Sequence, residues 1–378
     1  MIYFDNSATT PIDKQALHSY QQVSEKIWGN PSSLHELGEK ASQMLQMARQ
    51  QAADILGVQP YEIFFTSGGT EGDNWAVKGT AIAKKDFGRH IITTQIEHPA
   101  VLESMKQLEN LGFEVTYLPV DRQGVVSLEA LEKSLRSDTI LVSVMAVNNE
   151  MGAIQPIHAI GEILKDYPSV HFHVDAVQSF GTVPLELGEN SRIDLAVFSA
   201  HKFHGPRGVG ILYKKSGRQI APLLTGGGQE SGERSTTENL PGIVAMVKAM
   251  RLSAVSEQKT NHLEAMRMEL ADFLKGFEHV HIFSSRQGAP HIICFGIEGI
   301  RGEVLVHALE EKDIYVSTTS ACSSRSGVQS GTLLAMGIPK DIAQTAIRVS
   351  LSENNTDDEI QIFKEAFASI YDQLKTIL

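Results

Sequence analysis

Apolar and polar positions along the first two thirds of the chain follow two different periods. Between residues 33 and 56 apolar residues recur at helical spacing, with Leu45, Ala48 and Ala52 on one face. After residue 60, short apolar runs alternate with amphipathic stretches. The runs predict strands at 62–66, 90–94, 113–118 and 140–147, and the stretches predict helices from 71, from 98, at 127–135 and at 157–164. This alternation predicts a mostly parallel sheet covered by helices on both faces.

The pattern changes after the glycine-rich loop at 226–232. One long helix is predicted over 241–258, followed by a helix over 261–277 and short strands at 280–283 and 291–295. A last amphipathic helix is predicted over 357–374. We therefore expect an α/β protein whose mostly parallel sheet is followed by a smaller C-terminal α+β domain.

Two strand ends carry side chains that suit pyridoxal 5'-phosphate (PLP). Asp175 follows the apolar strand that ends at Val174, and Lys202 follows the strand 195–199. PLP needs an amine that holds its aldehyde as an imine and a carboxylate that keeps its pyridine nitrogen protonated. Because ligands bind at the carboxyl ends of parallel strands, both residues are expected at one site.

Two further motifs fit the same cofactor. The segment 65–71 is a strand, a glycine turn and a helix start, whose free N–H groups could bind a phosphate. His98 follows the strand 90–94, and an imidazole that titrates near neutrality can move protons. Each motif has an ordinary alternative: the turn could be a simple helix start, and His98 an end-of-strand histidine without chemistry.

Composition limits the remaining possibilities. The chain has 378 residues and a formal net charge of −12, which argues against general nucleic-acid binding through the phosphate backbone. No apolar run is long enough to span a bilayer, and the N-terminus shows no secretory signal. The two cysteines, Cys294 and Cys322, favour a reducing compartment, so the protein is predicted to be cytoplasmic. His171 and His173 lack a third ligand, so we predict a polar patch there and no metal site.

From 3–10 to 347–351 the motifs resemble the cysteine desulfurase family of fold-type-I PLP enzymes, within the class V aminotransferases. The resemblance implies a large PLP-transferase domain at 15–255 and a small domain made of 1–14 plus 256–378. It also implies L-cysteine as substrate and a homodimer with a shared active site. Gly69 and Gly72 stand where the family more usually has alanine or serine, which predicts a more flexible turn.

The resemblance also implies a role for each matching residue. Lys202 would hold the cofactor, with His98 stacked on its ring and assisting proton transfer. Other cofactor contacts are implied at the phosphate (Gly69, Thr70, Ser199 and His201), at the ring (Asn149, Asp175 and Gln178), and at the phosphate of the partner subunit's cofactor (Thr237). The substrate would be bound by Asn30, His35, Asn149 and Arg348.

Cys322 lies in a small, polar segment, 317–327, that is expected to be an exposed loop. A thiol near Arg325 can ionise there, whereas Cys294 lies in an apolar strand and is predicted to be inert. In the resembling family a cysteine at this position takes sulfur from L-cysteine as a persulfide and leaves L-alanine. The acceptor would be a tRNA-thiolation enzyme or an iron–sulfur scaffold. The alternatives are a selenocysteine lyase or other class V PLP enzyme, and a non-catalytic scaffold.

Overall fold

A seven-stranded sheet forms the centre of the molecule, in a computed structural model that describes residues 1–319 and 330–375. Its strands are β2 (Ile63–Thr66), β3 (His90–Thr94), β4 (Glu114–Leu118), β5 (Thr139–Ser143), β6 (His171–Asp175), β7 (Leu195–Ser199) and β8 (Gly210–Lys214). They are arranged in the order β2-β8-β7-β6-β5-β3-β4. Strand β8 runs antiparallel to both of its neighbours, and the other neighbouring pairs are parallel. The predicted mostly parallel sheet is therefore confirmed.

Helices connect these strands and cover the sheet. They are α1 (Lys14–Lys26), α2 (Glu36–Leu56), α3 (Gly69–Lys84), α4 (Pro99–Asn110), α5 (Leu128–Ser134), α6 (Ile157–Leu164) and α7 (Leu240–Leu252). Several begin at a side chain that accepts a hydrogen bond from the first free N–H groups. Asp13 does this for α1, His98 for α4 and Ser127 for α5. The caps fix where each helix leaves the edge of the sheet, and so they position the residues discussed below.

A second, antiparallel sheet lies in the C-terminal part, with strands in the order β12-β13-β10-β9. These strands are β9 (Val280–Ile282), β10 (Ile292–Ile297), β12 (Ser317–Thr318) and β13 (Ala346–Ser350), and a separate parallel pair joins β1 (Ile2–Tyr3) to β11 (Ile314–Tyr315). The accompanying helices are α8 (Glu257–Leu274), α9 (Gly302–Glu310), α10 (Gly331–Ala335), α11 (Lys340–Ala343) and α12 (Asp357–Leu374). This arrangement matches the expected α+β character of the C-terminal part.

The largest apolar clusters follow the two sheets. One surrounds the seven-stranded sheet, and the other joins α8, α9 and α12 to β10 and β13. Phe4 belongs to the second cluster, where its ring lies 6.0 Å from that of Phe363. The N-terminal segment thus packs with the C-terminal part, as expected. The proposed domain boundaries, 15–255 and 1–14 plus 256–378, stay a prediction.

Several predicted elements have different limits in the structure, and two of the differences are informative. The end of the helix predicted over 241–258 is wrong, because α7 already stops at Leu252. A new helix, α8, begins at Glu257, and the Ser256 hydroxyl caps it by accepting a hydrogen bond from the Lys259 N–H. The strand predicted over 140–147 ends at Ser143. The backbone beyond it still donates to β6, from Val144 to His173 and from Ala146 to Asp175. Among the described residues, no helix is both long and apolar enough to cross a membrane.

Candidate active site

A cavity of about 250 Å³ opens at the carboxyl ends of β6 and β7, beside the start of α3 and strand β13. Parallel strands bring their carboxyl ends to one edge, and polar groups that follow them collect there. The cavity gathers most of the residues that the sequence singled out: Gly69, Thr70, His98, Asn149, Asp175, Gln178, Ser199, His201, Lys202 and Arg348. These residues come from separate parts of the chain, so their convergence is a property of the fold.

Lys202 lies one short turn beyond β7. A single 3-10 turn, Ala200–Lys202, follows the strand and turns the lysine back toward the cavity. Its Nζ donates to the carbonyl oxygens of Ser7 at 2.6 Å and Ala8 at 2.9 Å. The N-terminal segment is held in place by Thr10, whose hydroxyl donates to the carbonyl of His201 at 2.9 Å. The amine is therefore anchored at the cavity by the segment that precedes α1.

Asp175 is the last residue of β6, and it is only 5% exposed. The backbone N–H of Val177 donates to its Oδ1 at 3.0 Å. Burial raises the pKa of this carboxyl, while the neighbouring His98 and Lys202 lower it. A buried carboxylate of this kind is stabilised by a cationic partner, and a protonated pyridine nitrogen is one.

His98 caps α4 and faces the same cavity. Its Nδ1 accepts from the Ala100 N–H at 3.1 Å, so the neutral ring carries its proton on Nε2. Burial lowers the pKa of His98, whereas Asp175 raises it. The imidazole is thus held in one tautomer, and Nε2 remains the atom that can exchange a proton.

Gln178 and His201 also line the cavity. The Gln178 side chain donates from Nε2 to the Ser7 carbonyl at 3.0 Å, the same oxygen that accepts from Lys202. His201 Nδ1 lies 3.1 Å from the Thr9 hydroxyl. Burial lowers the pKa of His201 to about 4, helped by the charges of Lys202 and Arg207, so its ring is neutral near pH 7.

The glycine turn leads directly into α3. Gly68 has a φ of 149°, which favours glycine, and the helix starts at Gly69. A Cβ at Gly69 would lie 2.9 Å from Cγ2 of Val177, and one at Gly72 would lie 2.7 Å from Cγ1 of Val197. Gly69 and Gly72 are therefore helical residues in close contact with Val177, just beyond β6, and with Val197 of β7. The expectation of a more flexible turn stays a prediction. The N–H groups of the first turn remain available to an anion.

Arg348 reaches the cavity from β13, the strand of the second sheet. Its Nη2 donates to Asp5 Oδ1 at 2.7 Å and its Nη1 donates to the Asn149 carbonyl at 2.8 Å. The side chain is about 5% exposed, and its Nε is buried without a hydrogen-bond partner among the described residues. A guanidinium held in this way presents a planar set of donors suited to a carboxylate.

Three predicted residues that the structure describes do not line this cavity. Asn30 and His35 are exposed; the Asn30 side chain accepts from the Ser32 N–H, and the His35 ring accepts from Gly38 and caps α2. Thr237 is also exposed. Cys322 lies outside the described residues.

Cys294 is fully buried in β10, and burial raises the pKa of its thiol well above the usual range, consistent with the inert cysteine predicted there.

Buried acidic residues beside the cavity were missed from the sequence. Asp73 lines the cavity, and its Oδ1 lies 3.4 Å from Nε2 of His173. Burial raises the pKa of Asp73, as does the charge of Asp175, and burial raises the pKa of Glu97 to about 8. Asp73 lies four residues after Gly69, on the same helix face. That spacing was the available signal.

The histidine pair at 171 and 173 is polar but lies inside the molecule, within β6. Both side chains are buried, and burial lowers the pKa of each ring to about 3. His171 Nδ1 lies 3.3 Å from the Thr80 hydroxyl, and His173 Nδ1 lies 2.9 Å from that of Ser143. These are neutral, internally bonded histidines of the sheet. Within 1–319 and 330–375, no group of three or more His, Cys, Asp or Glu could hold a metal ion.

Residues 2–363 match the family model described as aminotransferase class-V. The chain belongs to this family. It is 54% identical to a "NifS/IcsS protein homolog" of Lactobacillus delbrueckii subsp. bulgaricus, over 100% of this chain and 99% of that protein. It is 44% identical to a "Cysteine desulfurase IscS" of Methanosarcina thermophila, over 100% and 93%. A solved structure titled "NIFS-LIKE PROTEIN" has a TM-score of 0.93 and 44% identity, and the match covers 99% of this chain and 100% of that one.

Family membership confirms the predicted fold class, a two-domain α/β enzyme, and the predicted cofactor, PLP. The residues present fit that cofactor. Lys202 supplies an amine at the cavity, Asp175 supplies a buried carboxylate, and the start of α3 supplies free N–H groups with no Cβ at Gly69. Asp73, whose carboxyl pKa is raised by burial and by the charge of Asp175, adds a second acidic group to the lining of the same cavity.

Proposed function

We propose that the chain is a PLP-dependent cysteine desulfurase, which converts L-cysteine to L-alanine and passes the sulfur through Cys322 to an acceptor protein. The observation that carries the proposal is that Lys202, Asp175 and Arg348 converge on one cavity. An amine, a buried acid and a carboxylate-binding fork are the three groups that an amino-acid substrate bound to PLP requires. The named relatives support the choice of L-cysteine among amino acids.

The protein groups divide the work according to their positions. PLP, when bound, withdraws electrons from the substrate carbon atoms through its ring. Arg348 binds the substrate carboxylate, with Asn149 next to it, and so orients the Cα–H bond. Lys202 moves a proton between its Nζ and Cα, and His98 exchanges a second proton at Nε2. Asp175 keeps the positive charge at the pyridine nitrogen.

Sulfur transfer balances without an added oxidant or reductant. The Cys322 thiolate attacks the sulfur of L-cysteine, an S–S bond forms, and the Cβ–S bond breaks with its electron pair left on carbon. Protonation of that carbon completes L-alanine, and Cys322 keeps the transferred sulfur as a persulfide. L-cysteine and one thiol are thereby converted to L-alanine and one persulfide.

The chain's two cysteines provide the test and its matched control. Cys322→Ala is expected to keep the visible absorbance of bound PLP and to lose persulfide formation and L-alanine production from L-cysteine. Cys294→Ala changes a buried thiol of β10 and should retain both activities. Full L-alanine production by Cys322→Ala would contradict the proposal. It would favour a selenocysteine lyase or an aminotransferase, whereas a purified protein without PLP absorbance would favour a non-catalytic scaffold.

The partners form the less specific part of the proposal. We propose a homodimer in which Thr237 of one subunit contacts the cofactor phosphate of the other, which fits its exposed position outside the cavity of its own subunit. Asn30 and His35 are proposed to approach the substrate. The sulfur acceptor is proposed to be a tRNA-thiolation enzyme or an iron–sulfur scaffold. Incubating the ³⁵S-labelled persulfide enzyme with each class of acceptor, and following the label, distinguishes them.

A further inference from the structure

An ion pair joins the glycine turn to a distant loop. Arg234 donates to Glu71 through two bonds, from Nε to Oε1 at 2.6 Å and from Nη2 to Oε2 at 2.8 Å. The two side chains are only 13% and 16% exposed. A bidentate and largely buried pair is among the stronger polar contacts in proteins, so the two segments are firmly joined.

Glu71 holds the turn itself. Its Oε2 accepts from the backbone N–H of Ser67 at 2.7 Å, which ties the residue before Gly68 to the first turn of α3. Gly68 caps this helix and has no side chain that could make the bond. The carboxylate of Glu71 therefore performs the bracing that a serine or aspartate cap performs elsewhere.

The carboxylate has an unfavourable position for that task. Glu71 follows Thr70 directly, and Gly69 and Thr70 are the proposed phosphate-binding positions. An unpaired carboxylate so close to a phosphate dianion would repel it, more strongly in a half-buried site than in water. Burial raises the pKa of Glu71, but the bonds from Arg234 and Ser67 outweigh this and keep the pKa below its ordinary value. The carboxylate therefore stays ionised, and Arg234 supplies the compensating charge.

The loop that carries Arg234 is fixed at a second point. Glu230 pairs with Arg49 through both of its carboxylate oxygens, at 2.6 and 2.9 Å, and also accepts from the Phe65 N–H at 3.0 Å. Phe65 belongs to β2, the strand that leads into the turn. Arg234 thus lies in a segment that is already anchored to that strand. The anchoring lowers the conformational entropy that is lost when the Arg234 guanidinium is oriented.

We propose that Arg234 is a positioning residue for the cofactor phosphate: by neutralising Glu71, it allows that carboxylate to brace the turn without repelling the phosphate. The proposal rests on the phosphate site proposed at Gly69 and Thr70. It predicts that Arg234 slows the release of cofactor forms that carry a phosphate and has little effect on the release of forms that lack one.

Release of the cofactor from the purified holoenzyme tests this. Arg234→Met leaves the Glu71 carboxylate unpaired and should speed PLP release about tenfold, followed by loss of the visible absorbance after dilution. The same enzyme loaded with pyridoxal, which lacks the phosphate, should change less than about twofold. Glu71→Gln combined with Arg234→Met removes both charges but keeps an acceptor for Ser67, and should restore slow PLP release.

A matched control is available in the same loop. Glu233→Gln removes an ion pair with Lys214, at 2.8 Å, that does not involve the turn, and PLP release should stay unchanged. Equal acceleration for PLP and pyridoxal in Arg234→Met, or no recovery in the double variant, would overturn the inference and leave the phosphate site standing. A wild-type enzyme that releases PLP as fast as pyridoxal would instead refute the phosphate site itself.

Discussion

The two sides of the cavity bury titratable groups of opposite kind: one side, the acidic wall, has carboxyl groups, and the other, the basic wall, has a guanidinium. The acidic wall, on the side of the large sheet, is formed by Asp73 and Asp175 with Glu97 buried next to them, and burial raises the pKa of all three carboxyl groups. On the side of the second sheet, Arg348 is held by Asp5 and by the Asn149 carbonyl. On the acidic wall, one oxygen each of Asp73 and Glu97 lacks a hydrogen bond among the described residues. On the basic wall, the Arg348 guanidinium is already paired with Asp5 before any substrate binds.

This difference indicates where the site binds each of two groups, the protonated pyridine of the cofactor and the carboxylate of the substrate. A group that brings positive charge, such as a protonated pyridine, gains most at the acidic wall, because it relieves the cost of buried carboxylates. A carboxylate gains at the basic wall, where the guanidinium is already oriented. The substrate is thus expected to be positioned by charge as well as by shape. Substitutions that alter one wall at a time can break or sharpen this comparison.

The largest effect is expected at the acidic wall. Asp175→Asn keeps the size of the side chain and its bond from Val177 but removes the charge that holds the pyridine proton. We expect kcat for L-alanine formation to fall by about 10³-fold, since one electrostatic contact to the reacting system is commonly worth that much. PLP should remain attached through Lys202. If kcat stays within about threefold of wild type, the acidic wall has no electronic role.

At the basic wall the expected effect is on binding. Arg348→Lys keeps a positive charge but loses the planar fork, so the KM for L-cysteine should rise roughly a hundredfold while kcat changes much less. Steady-state kinetics over a range of L-cysteine concentrations measures both values. Asp5→Asn provides the comparison, because it removes the ion-pair partner at 2.7 Å and leaves the guanidinium in place. A fall in kcat at unchanged KM for Arg348→Lys would contradict a carboxylate-binding role.

The acidic and basic walls were not equally predictable from the sequence. Asp175 and Lys202 each follow an apolar strand, and the rule that parallel strands gather their carboxyl ends is enough to predict that the two lie at one site. Arg348 was singled out by resemblance, because an arginine in an apolar strand of a separate sheet gives no local sign of facing the same cavity. Its neighbours Asp5 and Asn149 lie 343 and 199 positions away in the sequence.

The burial of several polar side chains could not be predicted from the sequence. His171 and His173 were predicted to form a polar patch and Asp73 was not singled out, yet all three side chains are buried. For Asp73, periodicity fails because α3 is buried on much of its circumference. Helix ends were similarly uncertain: the break between α7 and α8 depends on capping by Ser256, which a continuous helical pattern conceals.

A backbone contact supports the acidic wall and allows a smaller effect to be tested. Gly69→Ala would place a Cβ 2.9 Å from Val177, whose N–H binds Asp175. We expect PLP to be released about tenfold faster, since relieving the overlap must shift either the turn or Val177. Adding Val177→Ala removes the obstructing methyl group and should restore most of the retention. Absence of recovery in the double variant would show that Gly69 is needed for another reason.

The last effect concerns stability and its dependence on pH rather than the reaction, and it follows from Glu97. Its Oε1 accepts from the Thr94 hydroxyl at 2.7 Å and from the Met145 N–H at 3.0 Å, while burial raises its pKa to about 8 from the usual 4.5. Between these values the folded protein binds a proton that the unfolded chain has lost. Stability therefore falls as pH rises toward 8 and levels off above it.

Glu97→Gln cannot ionise and should flatten that part of the profile. From pH 6 to pH 8, the PLP-bound wild type should lose about 2 kcal/mol more unfolding free energy than Glu97→Gln, measured by urea titration. Asp73 and Asp175, which face Glu97, have pKa values raised in the same direction, so some slope should remain in the variant. Glu129→Gln, at an exposed position of α5, is the control and should leave the profile unchanged. Equal slopes for wild type and Glu97→Gln would mean that Glu97 is ionised in the folded enzyme, and the acidic wall would then carry more negative charge than its burial indicates.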